Sequence, residues 1–333
     1  MPLPTPGDMH VNRPLTNISV AHWQSEQNFV SNRAGHIIPV EKQTDSVFRF
    51  KKGAFHRDEM SVRAAGAESA GGGYEMDSVL TYHCPLYAFH YDIPDQVRAN
   101  TDAPLNSDRA ATTLVTHKAL IKSERVFASN FLASGSGWDV KRAGVSSGSY
   151  VADTNVIKWN DYTNSNPIQD VKFYATKVAL ASGGFRPKHA VMSRSVWDCL
   201  TEHPDFIGKV SGGATTAAPS MVSRQLVAQI LELDSLLVMD AVYDQAAENA
   251  TWNPAWVGGD TFLLYYTPPV AGLEMPSAFY GLSWKGMLGM TGIGGRIKKF
   301  RMDANSSDRV EIEAAFDWKL TGADMAALLY DLL

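Results

Sequence analysis

The chain has 333 residues, 45% of them hydrophobic and 20% charged, with 30 basic and 35 acidic side chains and a net charge of −5. This is ordinary globular composition, enough for one large or two ordinary domains; it excludes a disordered chain, and the missing basic excess excludes a protein that grips nucleic acid mainly through its phosphates. Cys84 and Cys199 are far apart and lack partners at metal-finger spacing, and no run approaches the roughly 18 apolar residues of a membrane span.

Taken in chain order, residues 1–35 read as an arm. Pro2, Pro4, Pro6 and Pro14 favour extended backbone, and no apolar stretch there makes a signal peptide. Residues 36–84 read as a ribbon. Tyr74, Met76, Ser78, Leu80, Tyr82 and Cys84 alternate with Glu75, Asp77, Val79, Thr81 and His83, a period-two strand about 36 Å long. A second short alternating run, 47–51, carries Phe48 and Phe50. Between the runs, Lys51, Lys52, Arg57 and Arg63 place positive charge in a glycine-rich stretch, as a solvated loop or as a docking contact for acidic residues on a neighbour. A two-stranded ribbon is marginal in water by itself. It must lie on something else, and the simplest partner is another copy of the chain.

Residues 105–133 read as a helix roughly 40 Å long. Leu114, His117, Ile121, Ala128 and Phe131, with Leu120 and Phe127 alongside, form its apolar stripe, and Lys118, Lys122, Arg125 and Ser129 its polar face. Residues 138–166 read as loop, apart from 156–159. Asn166 and Pro167 open a second helix that buries Val171, Tyr174, Ala175 and Val178 and stops at Gly183 and Gly184. Residues 185–280 alternate short strands and helices: a strand at 189–192, a helix with Val196, Trp197 and Leu200 ended by Pro204, a helix opened by Pro219, and apolar strands at 235–239 and 261–266. Residues 294–320 form a hairpin turning at 303–308. Thr321 and Asp324 read as a capping box for a final helix that packs Ala323, Ala326, Leu328 and Leu329 inward.

The motifs that could carry chemistry lack their context. Gly144, Ser146 and Gly148 match the spacing of a serine nucleophile elbow, which needs a buried strand before it and a helix after it. The glycines at 292–295 lack the Lys-Ser/Thr pair of a phosphate loop and read as a tight turn. The nine histidines do not cluster as metal ligands. These patterns predict no catalytic residue, no metal and no cofactor. Arg296, Lys298, Lys299 and Arg301 make a basic patch, either a solvated hairpin face or a contact with packaged nucleic acid or an acidic neighbour.

The order of elements points further. Residues 34–40 with 48–52 look like the lead-in to an extended loop, 124–137 like the end of a spine helix, 184–197 like a strand followed by a helix with an early tryptophan, and 310–333 like a closing strand and helix. Together they resemble the major capsid proteins of tailed bacteriophages, the Hong Kong 97-type fold. The resemblance implies an α+β chain with an N-terminal arm (1–35), an extended β-hairpin loop (36–84), a peripheral β-sheet domain (85–159 and 286–333) holding the spine helix, and an axial α/β domain (160–285). It implies a structural role, not an enzyme: self-assembly into hexamers and pentamers of an icosahedral shell around double-stranded DNA, found in the virion and built in the host cytoplasm. The implied partners are a separate scaffolding protein, a portal and a decoration protein, with non-specific DNA contact and no membrane. Phe48, Phe50, Lys51, Lys52, Arg57, Arg63, Tyr74, Arg296, Lys298 and Lys299 are the expected contacts between subunits. Some members join subunits by a Lys–Asn isopeptide bond assisted by a Glu; Lys51 or Lys52, Asn305, and Glu311 or Glu313 are the residue types such a bond would use. An encapsulin-like compartment shell is the alternative on the same fold, and a serine hydrolase using Ser146 the third reading.

Overall fold

The computed structural model describes residues 24–101, 106–211, 222–272, 275–288 and 295–333, without the side chains of 48, 77–79, 211, 287 and 288. The expected arm over 1–23, the start signals Pro104 and Pro219, and most of the 292–295 turn fall outside the described residues. After a short 3-10 turn, α1 (Ser31–Ala34) leads into β1 (Ile37–Val40). β2 (Thr44–Phe50) runs out to α2 (Lys52–Phe55), and β3 (Met76–His83) runs back. β4 (Leu86–Pro94) and α3 (Asp95–Asn100) precede the long helix α4 (Ser107–Phe131). β5 (Val140–Val145), β6 (Val156–Ile157), α5 (Pro167–Ser182), β7 (His189–Ser193), α6 (Arg194–Glu202), α7 (Pro204–Ser211), α8 (Arg224–Ile230) and β8 (Ser235–Met239) follow. β9 (Val242–Asp244) and β10 (Pro254–Trp256) pair with each other. β11 (Phe262–Tyr265), β12 (Phe279–Trp284), α9 (Lys285–Leu288), β13 (Arg296–Met302), β14 (Ser307–Leu320) and β15 (Ala326–Tyr330) complete the chain.

Local chemistry sets the helix ends. Asn106 caps α4 by accepting the Arg109 N–H at 3.0 Å, and Asp108 in the first turn faces the positive end of the helix dipole. Asn166 caps α5 in the same way, Pro167 fills its first turn, and Gly183 at φ 90° ends it in a left-handed conformation. Ser193 caps α6 by accepting the Val196 N–H.

Two sheets carry the body. The first runs β1-β12-β14-β13, and β4 also pairs with β14; the second runs β6-β5-β15-β11-β7-β8. The six-stranded sheet is covered on both faces. Ala327, Leu329, Phe262, Leu264, Ala190 and Met192 point into one core with α5, α6, α7 and α8. Ala326, Leu328, Leu263, Tyr265 and Val191 point into the other, with Phe127 and Phe131 of α4 and with Phe279 and Trp318 of the first sheet. The rings there interlock: Phe131 stacks on Phe279 at 4.5 Å, and Phe127 meets Trp318 edge-on at 5.3 Å. This aromatic core ties the two sheets into one body.

Three expectations need correction. Residues 326–330 form not a helix but β15, parallel to β5 and antiparallel to β11. A strand buried on both faces reads as a continuous apolar run, which periodicity cannot tell from a buried helix. Residues 138–166 are not loop throughout, since β5 and β6 extend the same sheet. Its strands therefore do not follow the expected divisions at 159/160 and 285/286. α6 stops at Glu202 with His203 as its cap, just before Pro204 as expected, and Pro204 then opens a further helix, α7. In α4 the buried line runs through Ala111, Val115, Ser123, Glu124, Phe127 and Phe131, while Leu114, His117 and Ile121 are half-buried. Two buried polar residues in that line disguised it.

Asp170 is held in the first turn of α5, half-buried, accepting the Trp159 indole N–H at 3.1 Å. Burial pushes its carboxyl up to about 6, against the pull of that hydrogen bond. A raised carboxyl favours the fold below the unfolded value of about 3.9, and the advantage is lost as pH rises through 6. Asp170→Asn keeps an acceptor for Trp159 and removes the buried charge. It should raise stability by about 1–2 kcal/mol at pH 7.5, with the gain vanishing toward pH 4. Urea unfolding at both pH values measures this.

Candidate functional site

The ribbon is the most exposed extended feature among the described residues. β2 and β3 pair antiparallel from Thr44 opposite His83 to Phe50 opposite Met76, with a register shift between Val47 and Arg49. Its base is locked. The Cys84 N–H donates to Gln43 O at 2.9 Å, and Gln43 Nε2 donates to Cys84 O at 3.0 Å. Tyr82 and Cys84 are buried against Tyr280 and Leu282, with Ile38, Val40, Val47 and Trp284 around them. Burial pushes the Cys84 thiol up to about 12, so it stays protonated and unreactive. Further out, beyond the extra β3 residue at that register shift, the ribbon emerges into solvent: Met76 is 56% exposed and Tyr74 63%. Phe50 and Phe55, 38% and 60% exposed, join Tyr74 in a three-ring cluster with centroids 5.6 to 6.0 Å apart. Phe48 lies on β2, but its side chain is outside the described set.

The ribbon's cations have partners in their own chain. Lys51 meets Glu75 across the two strands at 2.5 Å, and Arg57 lies 3.7 Å from Glu59. Arg63 donates to the Ala67 carbonyl. Lys52 reaches the body, donating to Ala181 O at 2.6 Å and pairing with Asp324.

The other expected contact residues lie in a separate place, on β13, the outer strand beside β14. Arg296 and Lys298 both meet Glu313, at 2.9 and 2.6 Å, and hold its carboxyl below the usual range. Glu313 is thereby a poor proton acceptor. Lys299 meets Asp108 at 3.0 Å, and Arg301 makes two 2.6 Å bonds to Asp95 and one of 3.3 Å to Asp308. Arg98 joins in, bonding Asp308 at 2.5 Å and Asp108 at 2.9 Å. The basic patch is thus half of a charge network that fastens the hairpin end to α3 and to the start of α4.

Sequence reasoning missed two buried polar groups. Glu124, fully buried on α4, accepts the backbone N–H of Val30 at 2.9 Å and of Ser31 at 2.8 Å, while Ser123 bonds Ser31 Oγ at 3.1 Å. A carboxylate from one helix thereby caps the first turn of another, α1, where Val30 offers no side-chain cap. Burial raises the Glu124 carboxyl, and the two N–H bonds oppose that shift. No local spacing reveals such a pair, because its members are 94 and 93 residues apart.

The second group is Ser165, His203 and Asp205. The Asp205 N–H donates to His203 Nδ1 at 3.2 Å, which puts the ring proton on Nε2, 3.0 Å from Ser165 Oγ. Ser165 Oγ in turn donates to Asp161 O at 2.7 Å. A nucleophilic serine needs an imidazole that accepts its proton. Here the ring donates to the serine, and the three groups tie loops together. Ser146 follows β5, which supplies the strand the elbow motif requires, but only a 3-10 turn comes after it. Its backbone at φ −63°, ψ 151° carries none of the elbow's strain, and its hydroxyl lies 3.5 Å from Ser149 Oγ. Among the described residues no cluster of His, Cys, Asp or Glu could hold a metal, and no helix is long and apolar enough to cross a membrane.

No protein-family profile matches the sequence, and no curated protein matches it. Solved structures do match. A phage-related protein from Bordetella bronchiseptica superposes with a TM-score of 0.67 at 18% identity, over 93% of this chain and 94% of its own. An encapsulin from Synechococcus elongatus gives 0.57 at 13% identity over 100% and 96%, and the capsid of a cyanophage gives 0.56 at 9% over 94% and 90%. The chain has their fold, the α+β Hong Kong 97-type capsid fold.

The Glu124 cap has a measurable signature. Glu124→Gln leaves one buried backbone N–H facing an amide NH₂, which should cost about 1–3 kcal/mol. The amides of Val30 and Ser31 should lose exchange protection by more than those of Phe127 and Phe131; hydrogen exchange resolved by residue measures the difference.

Proposed function

We propose that this chain is the major capsid protein of a tailed bacteriophage, assembling into hexamers and pentamers of an icosahedral head around double-stranded DNA. The observation that carries the reading is the ribbon: in a fold shared with shell-forming proteins, its base is buried on the body and its apolar tip is exposed. Covering Phe50, Phe55, Tyr74 and Met76 on a neighbour would contribute on the order of 5 kcal/mol per ribbon before ordering costs. Repetition around a closed shell multiplies such modest contacts.

In this reading residues 1–35 are an arm and 36–84 the extended loop. α4 is the spine of a peripheral domain built on the β14 sheet, from within 85–159 and 286–333. The axial domain centres on 160–285, and its sheet also takes β5, β6 and β15. Scaffolding, portal and decoration proteins are the partners such a head requires, with assembly in the host cytoplasm. The phosphates of packaged DNA would meet a chain of net negative charge, so contact with it is non-specific and weak. Neither role needs catalysis.

A second reading, an encapsulin-like compartment, is favoured by one observation: the encapsulin match takes in the whole chain. Particle contents separate the two, since a head packages DNA when expressed with its neighbouring genes and a compartment encloses a cargo protein. Negative-stain microscopy of the purified protein should show closed shells. Deleting residues 53–72 should leave a soluble protomer, with its melting temperature within a few degrees of the parent, that forms none. Shells of normal size from that deletion would overturn the proposal.

A further inference from the structure

The ribbon tip is fastened to its own body through Lys52. Lys52, at the start of α2, donates to the Ala181 carbonyl and pairs with Asp324. Ala181 belongs to the last turn of α5, whose carbonyls have no partner within the helix and carry the negative end of its dipole. Asp324 lies in the 3-10 turn Ala323–Met325 just before β15. The His56 ring lies against Gly183, where an added Cβ would collide with it. The end of α5 and the 323–325 turn therefore form a cradle shaped and charged for the ribbon tip.

The cradle satisfies the tip's charge and leaves its apolar surface open. Phe50, Phe55 and Tyr74 stay exposed with the tip docked, and from Lys52 to Gly73 only Ala54 is as much as half-buried. On the cradle side Leu180, next to the Ala181 carbonyl, is 81% exposed, and Phe173, two turns back on α5, is half-exposed. Both surfaces are therefore apolar and uncovered on either side of a charge contact that is made. The ribbon also has a point at which to swing. Its base is locked by the Gln43–Cys84 bonds, and the register shift between Val47 and Arg49 interrupts the ladder just beyond. Such irregularities bend and re-aim a strand pair.

We infer that the cradle formed by Ala181, Gly183 and Asp324 is the receptor for the ribbon tip of a neighbouring copy, so that assembly exchanges a contact within the chain for the same contact between chains. This rests on the shell reading above. It identifies the occupant as a second copy, because the surface complementary to the cradle is the chain's own tip, and an exchange between identical elements adds no new recognition chemistry. In the exchanged state the three rings can approach Leu180 and Phe173 from a direction the tether within one chain does not allow.

Charge exchange tests it. Lys52→Glu and Asp324→Lys each place like charges at the cradle, and each full-length variant alone should give about tenfold fewer shells than the parent by sedimentation. Mixed in equal amounts, the two variants complement each other. The acidic tip of the first fits the basic cradle of the second, and the unaltered Lys52 tip of the second fits the unaltered Asp324 cradle of the first, so shells should return. Recovery in the mixture also shows that both variants fold. The inference is overturned if either variant alone assembles like the parent. It is equally overturned if the double variant Lys52→Glu/Asp324→Lys forms shells while the mixture does not, since that places the contact within one chain. Failure of the parent chain to form any shell is a different result: it overturns the function proposed above, and this inference with it.

Discussion

An apolar ribbon tip that continues after the body beneath it has ended is the constraint the rest of the molecule answers to. Tyr82 and Cys84 at the base of the ribbon are sealed against β12, and Met76 and Tyr74 toward the tip stand in solvent. Between the Val47–Leu80 and Arg49–Asp77 pairs the register shift puts one extra residue in β3, and such a bulge re-phases the alternation of a strand. The base is committed inward, and the tip presents its own apolar surface to whatever lies above it. Nothing in the described chain covers it. The three rings pack on one another, which reduces the apolar exposure but does not remove it.

What makes the ribbon possible is the rigidity under its base. β12 is held between β1 and β14, and β14 is long enough to pair with β4 and β13 along one half and with β12 along the other. The aromatic cluster of Phe127, Phe131, Trp138, Phe279 and Trp318 then locks that sheet to the six-stranded one through α4. Glu124 adds a fixed point where the chain enters the body. Its buried carboxylate is tolerable only because two backbone N–H groups and a nearby serine pair satisfy it. α1, the β12 strand under the ribbon and α4 therefore converge on one dense region.

Elements that lie half in water were legible in the sequence, and elements buried on both faces were not. The strands within 74–84 and 310–320, the caps Asn106 and Asn166, and the Gly183 stop are each local signals with a local cause, whereas nothing local showed the register shift that breaks the expected alternation in β3. β15 has no alternation to read, because Ala327 and Leu329 enter one core while Ala326 and Leu328 enter the other. β5 carries Lys141, Arg142 and Gly144 and β6 has two residues, so only the pairing of β5 with β15 and of β6 with β5 reveals them as strands. The α4 stripe was misplaced because Ser123 and Glu124 occupy its buried line. The basic run on β13 looked like a free surface. Its partners Asp95 and Asp108 are distant in sequence, and sequence distance hides ion pairs as thoroughly as it hides the Glu124 cap.

The distribution of charge separates what is fixed from what can move. At the hairpin end Arg98, Arg301, Lys299, Asp95, Asp108 and Asp308 share bonds, and every member but Asp95 has more than one partner in the group. Exposed pairs are weak singly, but a network of this kind resists local opening. At the ribbon tip the opposite holds. Lys52 has one carboxylate and one helix-end carbonyl, both near the surface, and an exposed pair of that kind is worth at most about 1 kcal/mol. A contact so weak holds the tip in place yet yields to any arrangement that keeps the pair and also buries the rings. The chain combines a body with redundant ties and an appendage with a single replaceable one, which is the division of strength that exchange between neighbours requires.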